Sequence, residues 1–241
     1  MQKYAVVDDS ELLKVDASAA PLTTNLGILG MPGLTSWAGI CVLDPINAGE
    51  TILVSAASGA VGSMVGQIAQ IRGARAIGLA GSADKCAWIV EEAGFEACLN
   101  YKDPGWSDDL RALRPEGVDV YFDNAGGKVL DTIVRRHLAM YSRVLICGLI
   151  SQYNLKEAPP GPNLGPLVSK RAKIFGLVVY DFEDRRRDFL REAIPWFQAS
   201  RLKYKEEIGV GIESVPAAFS RLMSGQNFGK TIVRVSDEPA P

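Results

Sequence analysis

Gly59, Gly62 and Gly66, in VSAASGAVGSMVGQIA, are the residues whose type and spacing first suggest chemistry. They follow a β-branched run, Thr51 to Ala57, and open a helical pattern, Ala60 to Arg72. Gly59 suits a tight strand-to-helix turn, Gly62 lets backbone approach a bound group, and Gly66 suits close packing of the helix on a sheet. Such a turn gathers unpaired amides and the positive end of a helix dipole at one point, which fits a pyrophosphate. The spacing is GxxGxxxG and not GxGxxG, and the same triplet also suits a helix packed on a sheet without any ligand. The next strand, Ala74 to Gly81, sharpens the reading. A unit that binds NAD normally ends that strand in Asp or Glu to bond the ribose hydroxyls. Here Gly81 and Ser82 stand at that point, Lys85 follows, and Tyr101 with Lys102 ends the strand after. A hydroxyl, an amine and a phenol without a carboxylate favour a ribose carrying a 2′-phosphate, and so NADPH over NADH. Lys85 beside Asp84 also reads as a solvated helix residue.

Other chemistries find little support. Cys41, Cys86, Cys98 and Cys147 are scattered, with no CxxC pair, and His137 is the single histidine, so neither a disulfide framework nor a metal site is expected. The formal charge of −2 offers no basic stripe for nucleic acid. No apolar run is long enough to span a membrane, and MQKYAVVDDSELLKV does not read as a signal peptide, so a cytoplasmic protein is expected.

The elements that must position the glycine turn are legible as an alternation. Strands are predicted at Thr51–Ala57, Ala74–Gly81, Ala97–Tyr101, Val118–Ala125, Ser142–Gly148 and Lys173–Tyr180. Between them lie helices at Ala60–Arg72, Ala83–Ala93, Ser107–Leu113, Lys128–Leu138 and Leu167–Ala172, with an amphipathic helix at Glu183–Ser200 after the last strand. A further helix opens near Pro32, and a short strand is expected at Tyr4–Val7. Strands alternating with helices imply βαβ units. The expected fold is therefore α/β, a Rossmann-type doubly wound six-stranded parallel sheet with its ligand at the carboxyl ends of the strands. A Pro- and Gly-rich loop spans Ser151 to Gly165, and KYKEEIGVGIES, SVPAAFSRLMSG and KTIVRV form a tail of different character.

GMPGLTSWAG, VSAASGAVGSMVGQIA, GSADKC, NYK, VDVYFDNAGG, ICGLISQYN and FGKTIVRV together resemble the medium-chain dehydrogenase/reductase superfamily. Within it they are most similar to the zinc-independent group of prostaglandin reductases, leukotriene B4 12-hydroxydehydrogenases and alkenal double-bond reductases, including the curcumin reductase type. The resemblance runs from about Tyr4 to Val235. It implies NADPH-dependent reduction of the carbon–carbon double bond of small α,β-unsaturated aldehydes or ketones, with hydride delivered to the β-carbon. It also implies that Gly59, Ala60, Val61 and Gly62 hold the pyrophosphate and that Gly81, Ser82, Lys85 and Tyr101 hold the 2′-phosphate. Asn124 would lie over the cofactor's centre. Met31, Thr35, Cys147, Gly148, Ile150 and Ser151 would line the nicotinamide end, Leu177, Val178 and Val179 its carboxamide side, and Asn227 with Gly229 would return to the pyrophosphate. Tyr153 is the candidate catalytic hydroxyl, a neutral donor aimed where enolate charge develops. His137 and Cys147 are not expected to be catalytic, the cysteine because nothing nearby would lower its pKa.

The resemblance also frames the domains. Relatives begin with a GroES-like β-barrel of roughly a hundred residues, a usual domain size, and most of it is missing here. Residues 1–24 would be its remnant, 25–202 the NADP-binding domain, and 203–241 the return toward the barrel, so that barrel remnants stand at both termini. A truncated chain is the favoured explanation. Gly30-Met31-Pro32-Gly33 stands where zinc-dependent relatives place a cysteine ligand, so no metal is expected. Trp37 with Ala38 replaces a tyrosine common in relatives. The alternatives are a quinone oxidoreductase and a catalytically silent NADPH-binding chain. A homodimer is expected through the edge strand near 173–180.

Overall fold

In chain order, helix α1 (Met31–Trp37) precedes strand β1 (Thr51–Ser55), α2 (Ala60–Ile71), β2 (Arg75–Ala80), α3 (Ala83–Glu91), β3 (Ala97–Asn100) and α4 (Trp106–Leu113). Then come β4 (Val118–Asp123), α5 (Gly127–Arg136), β5 (Leu138–Ile146), α6 (Gly165–Lys170), β6 (Lys173–Gly176), α7 (Arg186–Gln198), β7 (Glu206–Val210), α8 (Val215–Met223) and β8 (Lys230–Arg234). The computed structural model describes residues 2, 4–15, 18–157 and 159–237. Six strands form one parallel sheet in the order β3-β2-β1-β4-β5-β6. The order reverses between β1 and β4, and ligands of such sheets bind beyond the carboxyl ends of the strands at that point.

Every residue of β1 is buried because both faces of the sheet are covered. Ile52 and Val54 join Leu34, Met64, Ile68 and Phe189 in one apolar layer, while Leu53 joins Ile77, Leu79, Tyr121, Ile133 and Val144 in the other. Helix α5 shows the matching pattern, with Leu130, Ile133 and Val134 buried and the exposed pair Asp131 and Arg135 joined at 3.0 Å one turn apart. Arg143 of β5 grips Asp44 at 2.7 Å and Glu50 at 2.6 Å, which pins the segment leading into β1. Hydrogen bonding from Arg143 draws the Glu50 carboxyl down to about 2.

Several expected boundaries move. Residues 4–7 lie outside both sheets, and Tyr4 and Val6 are exposed. Helix α5 ends at Arg136, so β5 begins at Leu138, earlier than expected, and it carries an irregularity: the register with β4 shifts between Val118 and Val120, and Tyr141 has φ +61°. Strand β6 stops at Gly176 and not at Tyr180, because β5 ends at Ile146, whose carbonyl takes the last ladder bond from the Leu177 amide at 2.9 Å. A 3₁₀ segment, Val179–Arg185, replaces the expected continuation. In the tail, β7 and β8 pair in parallel as a two-stranded sheet of their own with α8 between them in sequence.

Candidate cofactor site

The turn after β1 differs in detail from its sequence reading. Ala56 carries the left-handed φ of +48°, while Gly59 has φ −79°, so the strained position of the turn is the alanine. Gly62 is required by the chain itself: a Cβ there would lie 2.4 Å from the Ala56 carbonyl oxygen and 2.9 Å from Ala57 Cα. Gly66 packs on a ring and not on the sheet, since its Cβ would lie 1.9 Å from Phe95 Cζ. No side chain caps α2, which leaves the first-turn amides of Ala60, Val61 and Gly62 without intrahelical partners. The chain returns to this point from far away. The Gly229 amide donates to Ser58 O at 3.1 Å, Gly59 and Gly229 form a parallel bridge, and Asn227 Nδ2 donates to Gly229 O at 3.1 Å. Helix α1 is fixed against α2 by the Ser36 hydroxyl, which donates to Val61 O at 3.0 Å. Thr35, buried, donates to Met31 O at 2.7 Å, and the Met31 side chain is exposed.

At the end of β2 the backbone turns into α3, with Ser82 as the N-cap whose hydroxyl accepts from the Lys85 amide at 3.4 Å. A Cβ on Gly81 would sit 3.0 Å from the Tyr101 hydroxyl and 3.4 Å from Lys102 Cε, so glycine opens this corner to the phenol and the lysine. Lys85 is half-buried and donates from Nζ to Gly225 O at 2.8 Å. Burial and then the charge of Lys102 lower its amine below the ordinary value; Arg221 of α8 acts the same way, and Glu207 opposes it. Arg221 also reaches Glu207 at 3.3 Å. Positive charges thus crowd together with incomplete compensation, an arrangement that a bound anion relieves.

At the end of β4 sits a fully buried carboxylate. Asp123 accepts from the Ser55 hydroxyl at 2.9 Å, the Tyr121 hydroxyl at 2.6 Å, the Ala125 amide at 3.1 Å and the Gly126 amide at 3.0 Å. Burial and the Asp123 charge hold the Tyr121 phenol well above its ordinary value. The Ser55 oxygen accepts from the Asn124 amide at 2.8 Å, and Asn124 Nδ2 donates to Ser55 O at 2.9 Å, so β1 and β4 clasp one another at their carboxyl ends. The loop after β5 is stitched to this clasp: the Cys147 and Gly148 amides donate to Asp123 O at 2.9 and 3.1 Å, and the Ser151 amide to Ala125 O at 3.1 Å. Tyr153 is 62% exposed, and its hydroxyl accepts weakly from the Leu149 amide at 3.4 Å, folded back over Gly148. Ile150 is exposed beside it. Burial, with a further push from Asp123, raises the Cys147 thiol to about 12, which makes it a small apolar group. After β6, Leu177 and Val179 are buried and Val178 is exposed.

The candidates therefore gather in groups along the carboxyl ends of the strands. Gly59 to Gly62 meet Gly229, Gly81 to Lys85 meet Tyr101, and Asn124 meets the loop of Cys147, Gly148, Ser151 and Tyr153. His137 lies at the opposite end, where β5 begins; it is buried, with Nε2 at 2.7 Å from the Ser107 hydroxyl. Asp123, Ser55 and Arg221 escaped the sequence reading. A charged residue closing the apolar run VDVYFD was the available signal for Asp123, whereas nothing local pointed to Ser55 or Arg221.

Residues 60–199 match the zinc-binding dehydrogenase family, and the chain belongs to it, in the medium-chain dehydrogenase/reductase group of NADP-dependent reductases. Its relatives include a putative NADP-dependent oxidoreductase, YfmJ, of Bacillus subtilis (strain 168), 41% identical over 245 residues that cover 98% of this chain and 70% of that protein. An NADPH-dependent curcumin reductase of Escherichia coli (strain K12) is 37% identical, with 98% and 70% covered, and a 2-alkenal reductase (NADP(+)-dependent) of Nicotiana tabacum is 39% identical, with 98% and 69% covered. The crystal structure of CurA from Vibrio vulnificus in complex with NADPH superposes with a TM-score of 0.84 at 36% identity, over 90% of this chain and 66% of that one. This chain thus spans about 70% of the length of the curated relatives it matches. The zinc of the family's name does not suit the donors present. Among the described residues no three His, Cys, Asp or Glu side chains converge as a metal site. A side chain at Gly30 would also meet Asn25 O at 1.9 Å.

Proposed function

We propose that the chain binds NADPH along the carboxyl rim of the sheet and reduces the carbon–carbon double bond of α,β-unsaturated aldehydes or ketones. The observation that carries this reading is the corner formed by Gly81, Lys85, Tyr101, Lys102 and Arg221, where positive charge and a phenol replace the carboxylate that would repel a 2′-phosphate. The names of the curcumin, 2-alkenal and prostaglandin reductases among its relatives support the substrate class. When bound, NADPH supplies a hydride to the substrate's β-carbon. The chain does the rest. The amides of Ala60, Val61 and Gly62 and the α2 dipole hold the pyrophosphate, with Asn227 and Gly229 closing beside it. Ser55 and Asp123 keep the loop of Asn124 and the loop of Cys147 to Ser151 in fixed register. Met31, Thr35, Ile150, Leu177, Val178 and Val179 wall the nicotinamide side. The Tyr153 hydroxyl donates to the carbonyl oxygen as enolate charge develops. Its present 3.4 Å contact with the Leu149 amide is long enough to be exchanged for a substrate oxygen at little cost. A proton from solvent water, added at the α-carbon, completes the saturated carbonyl.

Nicotinamide fluorescence titrations with NADPH and NADH, followed by addition of 2-nonenal or 3-nonen-2-one, test the reading. Tighter binding of NADPH and its oxidation on enone addition are expected. Replacing Lys85 by Met should weaken NADPH by roughly tenfold or more, the loss of one charged hydrogen bond worth about 1.5–3 kcal/mol, and leave NADH unchanged. Equal affinity for the two cofactors refutes the 2′-phosphate corner. NADPH binding without enone-dependent oxidation refutes the reductase activity of this chain.

A further inference from the structure

Two cysteines that the sequence reading left apart come together beside the proposed 2′-phosphate corner. Cys86 of α3 and Cys98 of β3 lie with their sulfurs 2.7 Å apart, and both residues are half-buried. A disulfide bond is about 2.05 Å long, so about 0.65 Å of approach remains to be closed. The space for this contact is built into β2. Gly78 pairs with Cys98 across the ladder, and a Cβ there would lie 3.2 Å from Cys98 Sγ, 3.1 Å from Ile89 Cγ2 and 2.9 Å from Ala57 Cβ. Glycine within a buried strand marks such a close approach. The other two thiols are differently placed: burial pushes Cys41 and Cys147 up, and no sulfur partner is recorded for either.

We propose that Cys86 and Cys98 are a redox site, a dithiol that closes reversibly to an intramolecular disulfide by exchange with a low-molecular-weight disulfide such as glutathione disulfide. The two sulfurs share one hydrogen bond; with Cys98 as its donor the Cys86 thiol is lowered and that of Cys98 raised, which makes Cys86 the attacking group. The Cys86 thiolate attacks one sulfur of glutathione disulfide, forms a mixed disulfide and releases one glutathione thiolate. Cys98, giving its proton to a departing thiolate, then attacks the Cys86 sulfur and releases the second glutathione. Two protein thiols are oxidised and one glutathione disulfide is reduced to two thiols. The cross-link ties α3 to β3. Because Lys85 precedes Cys86 and Tyr101 follows the end of β3, oxidation is coupled to the affinity for an adenosine 2′-phosphate. This coupling rests on the cofactor reading above.

The test treats the folded chain of 241 residues with glutathione disulfide, then quenches, unfolds, alkylates and maps the peptides by mass. A Cys86–Cys98 cross-link is expected, with Cys41 and Cys147 alkylated, whereas dithiothreitol added before the quench should leave all four cysteines open to alkylation. The Cys98→Ser variant should stop at glutathione bound to Cys86. A cross-link that forms only after unfolding, or glutathione retained on Cys86 of the wild type, overturns the dithiol. Titration with 2′,5′-ADP and with 5′-AMP reads the coupling. The cross-linked form should differ from the reduced form by at least about fivefold for 2′,5′-ADP, the low end of ordinary allosteric coupling, and not for 5′-AMP. Equal affinities in the two forms overturn the coupling. Failure of the reduced chain to bind 2′,5′-ADP overturns the cofactor reading, while the peptide map still decides the dithiol.

Discussion

The chain's single histidine makes one acid transition readable in isolation. His137 is 2% exposed, bonded to the Ser107 hydroxyl at 2.7 Å and close to the charges of Arg111, Arg136 and Asp108. Burial first, and then the two arginines, lower its pKa from 6.5 to about 4. Above pH 6.5 it is neutral in both the folded and the unfolded chain and has no effect on the pH slope. Between 6.5 and 4 the unfolded chain takes a proton that the folded chain refuses, so stability falls as the pH falls, by about 1.4 kcal/mol per unit. The loss should reach about 2 kcal/mol at pH 5 and level off below pH 4, near 3 kcal/mol. Carboxylates such as Glu50, drawn down to about 2, add their own loss only below about 4.5. Urea unfolding followed by tryptophan fluorescence at pH 7, 6 and 5 measures the slope. His137→Gln should lower stability at pH 7 but flatten the dependence between pH 6.5 and 5. A wild type equally stable at pH 7 and pH 5, or a variant that keeps the slope, refutes the reasoning.

Gly66→Ala places a methyl group 1.9 Å from Phe95 Cζ and should destabilise the fold by about 1–3 kcal/mol. Adding Phe95→Leu should recover part of that loss in a double-mutant cycle, and purely additive losses would show that the ring is not the obstacle. For assembly, β6 is an edge strand with Ile174 43% exposed, and two copies should pair along it. Sedimentation should give a dimer that Ile174→Lys converts to a monomer, and a wild-type monomer at all concentrations would exclude this interface.

The sheet was legible because its strands are short apolar runs between helices of regular period, and β1, buried on both faces, gives the strongest such run. The misreadings sit where a neighbour decides an element's length. KIFGLVVY looks like one strand by composition, but its partner ends at Ile146 and the ladder stops with it. Leu138 reads as the end of a helix and residues 139–141 as part of no element, because their strand carries the irregularity at Tyr141, which breaks the alternation of period two. Gly62 reads from the sequence as room for a bound group and Gly66 as packing on the sheet, yet they are demanded by Ala56 and by the Phe95 ring, contacts that the glycine spacing does not report. The meeting of Cys86 with Cys98 depends on how α3 lies across β3, and that angle is set by tertiary packing.

The bond from Gly229 to Ser58 joins residues 171 positions apart, and it has a consequence for biosynthesis. All six strands of the sheet are translated before the segment that closes the turn after β1. A nascent chain can therefore assemble its sheet on the ribosome while the turn still lacks its last wall. On the cofactor reading proposed above, capture of the nucleotide would wait for the segment around Gly229, and an interrupted product would carry a folded sheet with an open turn.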